Sequence, residues 1–283
     1  MEDIIEKIPL LLENIKEKNP LTHCITNSVT INDCANAILA IGASPIMTED
    51  IREIEEIEKI ANALVINIGT INEIQEELIY NACQNANKNN IPIIFDPVGV
   101  GMSKLRTEIS LNLIKNYKLT AIKGNMSEIK KIYNLIFNNS NSKNSSIDAN
   151  YKDLTTEKTL NNNSELIKKL SKKLKTIVIA SGPIDLISDG EITIAIKNGD
   201  EMMTLVTGSG CMLSAICGSC IGANKHLEGS ILACLMMSVA GEYAREYVNS
   251  ENLGSGTFRV VLIDYLSKLT GNDLIKKSNI VIL

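Results

Sequence analysis

Apolar positions change period several times along the chain. Over residues 2–18 they recur at helical spacing (Ile5, Ile8, Leu11, Leu12, Ile15), and Asn19-Pro20 ends that helix because the residue before a proline disfavours the helical region. Residues 21–25 read as a strand, and 29–41 as a helix closed by Gly42. A near-continuous apolar run at 63–68 has the character of a buried strand, followed by a helix over 72–88. Residues 91–95 form a strand that ends at Asp96, a helix at about 105–116 leads to a strand at 120–122, and 177–180 and 186–188 are two more strands. Asp189-Gly190 is a hairpin turn into a strand at 192–196. After Gly210 the pattern is helical almost to the end, over about 211–223, 227–248 and 256–269.

Buried strands alternating with helices predict an α/β fold: a doubly wound, mostly parallel sheet with helices on both faces and an antiparallel edge made by the late hairpin. One domain over residues 1–283 is expected. Residues 138–164 break the pattern; they are Asn- and Ser-rich, without usable period, and read as a polar insertion or loop.

Composition narrows the function classes. Net charge is -5, so the basic surplus by which nucleic-acid binders neutralise phosphates is missing. Aromatics make up 4% with no Trp, which argues against base-stacking platforms. No apolar run approaches the roughly 18–20 residues of a membrane span, and the acidic start MEDIIEK is unlike a signal peptide. Seven scattered cysteines, an odd number, read as reduced thiols of a cytoplasmic protein.

In doubly wound sheets ligands sit beyond the carboxyl ends of the strands, so the residues that follow each strand carry the candidate chemistry. VTGSGCMLSA (206–215) leads small residues straight into a helix; Gly208, Ser209 and Gly210 let backbone amides approach an anion, and the helix start adds about half a positive charge. A tight, packed loop explains the same residues. Cys211, in the first turn, can have a lowered thiol pKa there and act as base or nucleophile, or simply pack the turn. DPVGVG (96–101) puts Asp96 at a strand end, suited to a Mg²⁺ site or to a turn. KGNMSE (123–128) offers Lys123 to a phosphate and Glu128 to water on Mg²⁺, although Asn125 or Ser127 could just cap the next helix. Together a carboxylate, a cation with a carboxylate, and an anion cradle spell phosphoryl transfer to a small molecule. HCITNSVTINDCAN (23–36) and GASPIMTED (42–50) read as a pocket wall with Met47 as an apolar lid, or as turn and cap residues. Cys217 and Cys220 have CxxC spacing but lie inside an apolar helix without a second pair. His226 and Glu228 mark a helix start.

The blocks THCITNSVTINDCANAILAIGASPIMTED, ALVINIGT, IIFDPVGVGMSKLR, AIKGNMSEI, VTGSGCMLSA and GSGTFRVVLID, in that order, resemble the hydroxyethylthiazole kinase family of the ribokinase-like superfamily, over about residues 8–270 outside most of 138–164. The resemblance implies an ATP- and Mg²⁺-dependent kinase of the hydroxyl of 4-methyl-5-(2-hydroxyethyl)thiazole in thiamine salvage. It implies a homotrimer with pockets at subunit interfaces. By motif, Met47 and Gly208 would bind the thiazole, and Lys123 and Ser181 the ATP. Asp96 and Glu128 would serve Mg²⁺ and phosphates with Asn125 beside them, and Cys211 stands where most of the superfamily has a catalytic Asp. The family commonly has Arg at Lys123 and Thr at Ser181; Lys keeps the charge without the bidentate fork. A pyrimidine-alcohol kinase, a nucleotide-hydrate dehydratase of the same superfamily, and a catalytically silent ligand-binding protein are the competing readings.

Overall fold

The computed structural model describes residues 2–137 and 153–283. In its amino-terminal half the order is α1 (Glu2–Lys18), β1 (Leu21–Ile25), α2 (Ile31–Ala40), β2 (Ser44–Met47), α3 (Ile54–Ile57), β3 (Ala63–Asn67), α4 (Glu73–Asn89) and β4 (Ile93–Asp96). Then come α5 (Lys104–Asn116), β5 (Ala121–Asn125), α6 (Met126–Phe137), α7 (Leu160–Leu174), β6 (Ile177–Ser181), β7 (Asp185–Ser188) and β8 (Thr193–Ile196). After a 3₁₀ turn at Glu201–Leu205 follow α8 (Ser209–Ala223), α9 (His226–Ser250), α10 (Ser255–Lys268), α11 (Gly271–Lys277) and β9 (Ile280–Ile282).

The nine strands share one sheet in the order β2-β1-β3-β4-β5-β6-β7-β8-β9. The pairs from β2 through β6 are parallel, and the three from β6 to β9 are antiparallel. This is the expected doubly wound sheet with an antiparallel edge. Period-two alternation divides the strand residues between two cores. Cys24, Val65, Ile94, Ala121 and Ile179 face α1, α2, α8, α9 and α10. Ile25, Ile66, Phe95, Ile122 and Ala180 face α4, α5, α6 and α7. Strands buried on both faces must be apolar throughout, which is why runs such as ALVIN are legible as strands.

Several boundaries differ from the sequence reading, each for a physical reason. β2 is a half-buried edge strand containing Pro45, and proline is tolerated there because no neighbour needs its missing N–H. The strand expected at 120–122 runs on to Asn125, drawn out by pairing with β6 up to Asn125↔Ser181. β4 starts only at Ile93, after Pro92. The polar stretch expected over 138–164 is corrected at its end: α7 begins at Leu160 and buries Leu160, Ile167 and Leu170 on one face. Residues 138–152 lie outside the described residues. No helix among the described residues is long and apolar enough to cross a membrane.

Candidate active site

The strand order turns back at β1 and β3, the place where such sheets open a crevice at their carboxyl ends. Four strand ends deliver polar side chains there. Asn27 follows β1, Asn67 closes β3, Asp96 closes β4 in register with Asn67, and Lys123 lies in β5. All four side chains are buried, so each needs a partner. Asn67 Nδ2 donates to Asp96 Oδ2 (3.1 Å) and to Cys211 Sγ (3.3 Å). Asn27 Nδ2 donates to Asn67 Oδ1 (3.0 Å) and to Cys211 Sγ (3.2 Å). Ser214 Oγ donates to Asp96 Oδ2 at 2.6 Å. Lys123 Nζ donates to Gly210 O (2.9 Å) and lies 3.7 Å from Asp96 Oδ2.

The start of α8 hangs over this network. Gly208 is its N-cap with φ +89°, and a Cβ there would fall 2.5 Å from Thr30 Cγ2, so both conformation and space require glycine. The first-turn amides of a helix have no intrahelical partner, the general feature on which the reading of residues 208–211 as an anion cradle rests. Cys211 is partly exposed there, whereas the other six free cysteines are buried.

Glu128 joins the cluster from α6. Its Oε1 accepts from Gly99 N (2.9 Å) and its Oε2 from Asn125 N (2.8 Å), while Asn125 Oδ1 accepts from Glu128 N (2.9 Å). Capping and site geometry are therefore one arrangement: the reciprocal cap also ties the loop after Asp96 to the end of β5. Burial pushes the Asp96 carboxyl above the usual range, against the pull of Lys123, Ser214 and Asn67. Burial and the Asp96 charge raise Glu128, partly offset by its two amide donors. Burial opposes the charge on Lys123, but Asp96 and Glu128 outweigh it and hold the ammonium above its ordinary value. Two carboxylates around one cation leave a net negative charge with hard oxygen donors. Such a set fits a divalent cation held mostly through waters and phosphates, and no fuller metal-binding group occurs among the described residues.

The sequence-predicted residues divide by position. Asp96, Lys123, Gly210 and Cys211 are brought into one hydrogen-bonded cluster, with Glu128 and Asn125 beside it. Lys123 lies beneath the α8 start, 3% exposed. Met47 closes the edge strand β2, and Ser181 closes β6, where its Oγ donates to Gly124 O at 3.3 Å. Four strands separate the two, so they flank the cluster from opposite sides at about 24 Å, given the usual strand spacing. Cys217 and Cys220 are buried in α8. A cleft of about 780 Å³ lined by Lys7, Asn14, Lys18, Asn224 and His226 contains none of the cluster residues.

Sequence reasoning missed Asn67, Ser214 and Arg106. Each leaves a faint signal: a polar residue ending an apolar strand, a hydroxyl inside an apolar helix, and a cation just after a Gly-bearing loop. Arg106 donates to Ile68 O (2.6 Å), Val98 O (2.7 Å) and Gly69 O (2.7 Å), clamping the loops that follow Asn67 and Asp96.

The hydroxyethylthiazole kinase family matches residues 12–272. A hydroxyethylthiazole kinase of Methanobrevibacter smithii is 58% identical over 100% of this chain and 99% of its own length. Hydroxyethylthiazole kinase 1 of Methanosphaera stadtmanae is 45% identical over 99% of this chain and 98% of that protein. The solved hydroxyethylthiazole kinase from Pyrococcus horikoshii superposes over all of both chains with TM-score 0.85 and 31% identity. A ribokinase-like superfamily protein from Enterococcus faecalis shares the fold at 13% identity and TM-score 0.62, over 96% of this chain and 95% of that one. With a family match over residues 12–272 and a relative 58% identical over the whole chain, the chain belongs to the hydroxyethylthiazole kinase family.

Proposed function

We propose that the chain transfers the γ-phosphoryl group of ATP to the hydroxyl of 4-methyl-5-(2-hydroxyethyl)thiazole, a step of thiamine biosynthesis. The observation that carries this is Cys211: its sulfur sits at the start of α8, held by Asn27 and Asn67, with the Asp96–Lys123 pair beneath it. The acceptor binds on the Met47 and Gly208 side and the nucleotide on the Ser181 side. The alcohol oxygen attacks the γ-phosphorus, the bond to the β–γ bridging oxygen breaks, and ADP leaves. Cys211 Sγ accepts the hydroxyl proton late, since positioning and charge stabilisation dominate a loose transition state. The amides of residues 208–211 hold the γ-phosphoryl oxygens and Lys123 adds positive charge next to them. Mg²⁺, when bound, neutralises phosphate charge; Asp96 and Glu128 are the residues that would hold it, with Asn125 alongside.

The chain works as one catalytic domain over residues 1–283, and as a cytoplasmic homotrimer. Seven free thiols support the compartment. Supporting the trimer, Leu39 on α2, Leu205 on the 3₁₀ turn and Val260 on α10 are exposed apolar side chains on elements that pack against one another. The test is ADP release by purified protein with ATP and Mg²⁺, offering the thiazole alcohol and a pyrimidine alcohol in turn. Turnover with the thiazole is expected. Turnover with the pyrimidine alone would move the chain to another superfamily activity, and none with either would leave a silent binding protein.

A further inference from the structure

A second buried polar array lies on the other face of β1. His23 Nδ1 is 2.5 Å from Glu58 Oε1, and His23 Nε2 is 2.7 Å from Thr48 Oγ1. His23 and Glu58 are fully buried and Thr48 is 5% exposed. Glu58 follows α3, and its own carbonyl accepts from Asn89 Nδ2 at the end of α4 (3.1 Å), so its backbone is fixed from behind. Glu58 Oε2 is buried with no hydrogen-bond partner among the described residues.

Such an array is a poor stability device. A buried acid–imidazole pair bears a desolvation cost that an apolar group of the same volume avoids, and an unpaired carboxylate oxygen adds to it. What the array supplies is direction. With both ring nitrogens engaged the imidazole cannot turn, and the carboxylate at Nδ1 selects the state that Nε2 presents to the Thr48 hydroxyl. Thr48 is the residue that needs this. β2 pairs on one side only, and its ladder ends at Cys24↔Met47, so the sheet does not hold residue 48. The His23 contact does, and residue 48 is bonded directly to Met47.

We infer that His23, backed by Glu58, is a positioning residue that fixes Thr48 and thereby sets Met47 for the acceptor alcohol, so that this array governs acceptor affinity and not nucleotide use. The inference rests on the proposed placement of Met47 at the acceptor side. Thr48→Val keeps the side-chain shape and deletes the hydroxyl, Thr48→Ser keeps the hydroxyl, and Glu58→Gln keeps the shape and removes the charge. In full-length protein, two readouts are taken: Michaelis constants for both substrates with kcat, and amide hydrogen exchange of residues 44–50 without ligand. Thr48→Val is expected to raise the thiazole KM about tenfold, equivalent to ~1.4 kcal/mol. Its ATP KM and kcat should stay within about twofold, and exchange after Met47 should speed up about tenfold on the same scale. Thr48→Ser should restore both readouts, and Glu58→Gln should move them in the direction of Thr48→Val. Unchanged exchange in Thr48→Val and Glu58→Gln overturns the array's role. Faster exchange with an unchanged thiazole KM overturns the proposal through the placement of Met47, and equal shifts in both Michaelis constants overturn its acceptor selectivity.

Discussion

Cys211 receives two amide donors on its sulfur and none of the other cysteines is exposed, so substitutions there read the proton-acceptor role with little competing chemistry. Cys211→Ser places a hydroxyl that is not ionised near neutral pH; kcat at saturating ATP and thiazole is expected to fall by about 10²-fold, the lower end of general-base effects. Cys211→Asp places a carboxylate acceptor at the same position and should keep kcat near or above the parent's. A Ser variant with full kcat would reduce Cys211 to a packing residue. Lys123→Ala removes the ammonium next to Asp96, and should raise the KM for ATP more than that for the thiazole; equal rises would place Lys123 outside the nucleotide site. Asp185 supplies a pH test. Its carboxyl is pushed up to about 6 by burial, against the pull of the Gly182 amide, Lys123 and Ser238. A folded pKa above the unfolded one means the native state holds the proton more tightly. Its stability contribution is therefore fully present below about pH 4 and lost as pH rises through about 6. Asp185→Asn keeps an acceptor for Gly182 N (2.9 Å) and removes the buried charge. It should gain roughly 3 kcal/mol over the parent at pH 8 and almost nothing at pH 4, measured by urea unfolding at both values. An equal gain at both would show that the charge is not responsible. Asp96, Lys123, Glu128 and Cys211 were visible in the sequence because each stands in a local motif at a strand end or helix start. Asn67 and Ser214 were not, because Asn67 finds its cluster partners 29, 40 and 144 residues away and Ser214 finds Asp96 118 residues away along the chain.

At the scale of elements, α8 does most to assemble the site, because it lies directly on β1 and β3 and carries Cys211 at its start. Gly218 permits the approach: a Cβ there would lie 2.4 Å from Val65 Cγ2 and 2.9 Å from Thr22 Cγ2. Gly218→Ala must push the helix off the sheet or displace those side chains, a cost of about 1–3 kcal/mol. The thermal midpoint should drop by several degrees. Because Asn27 and Asn67 stay with the strands while Cys211 moves with the helix, kcat should fall as well. A variant with parent-like midpoint and kcat would mean that α8 is not positioned by this contact. The elements legible in the sequence are those whose burial is complete or one-sided along a clean period, such as β1, β3, α4 and α9. β2 was hidden by Pro45 and half-burial, and α7 by the three asparagines of its first turn, although Leu160, Ile167 and Leu170 keep helical spacing. The extension of β5 to Asn125 comes from pairing with β6, which no local pattern records.

For the whole molecule, the sheet sets out a row of strand ends with Met47 on one side, Ser181 on the other, and the Cys211–Asp96–Lys123 cluster between them. In the proposed reaction the acceptor alcohol and the nucleoside triphosphate would lie end to end along this row, with the phosphoryl group at the α8 start. The proposed trimer would bury the exposed apolar residues Leu39, Leu205 and Val260. Light scattering at micromolar concentration should return three times the chain's 30.9 kDa mass, and a monomer would remove the interfacial pocket from the account. The central claim, that phosphoryl transfer takes place at the α8 start beside Cys211 Sγ, is tested most directly by a crystal structure of the protein with a non-hydrolysable ATP analogue, Mg²⁺ and the thiazole alcohol. The expected result places the γ-phosphoryl oxygens on the amides of residues 208–211, with the thiazole hydroxyl within about 3–3.5 Å of both the γ-phosphorus and Cys211 Sγ. A nucleotide bound in the cleft beside Lys18 and His226, or a thiazole hydroxyl remote from Cys211, would contradict it.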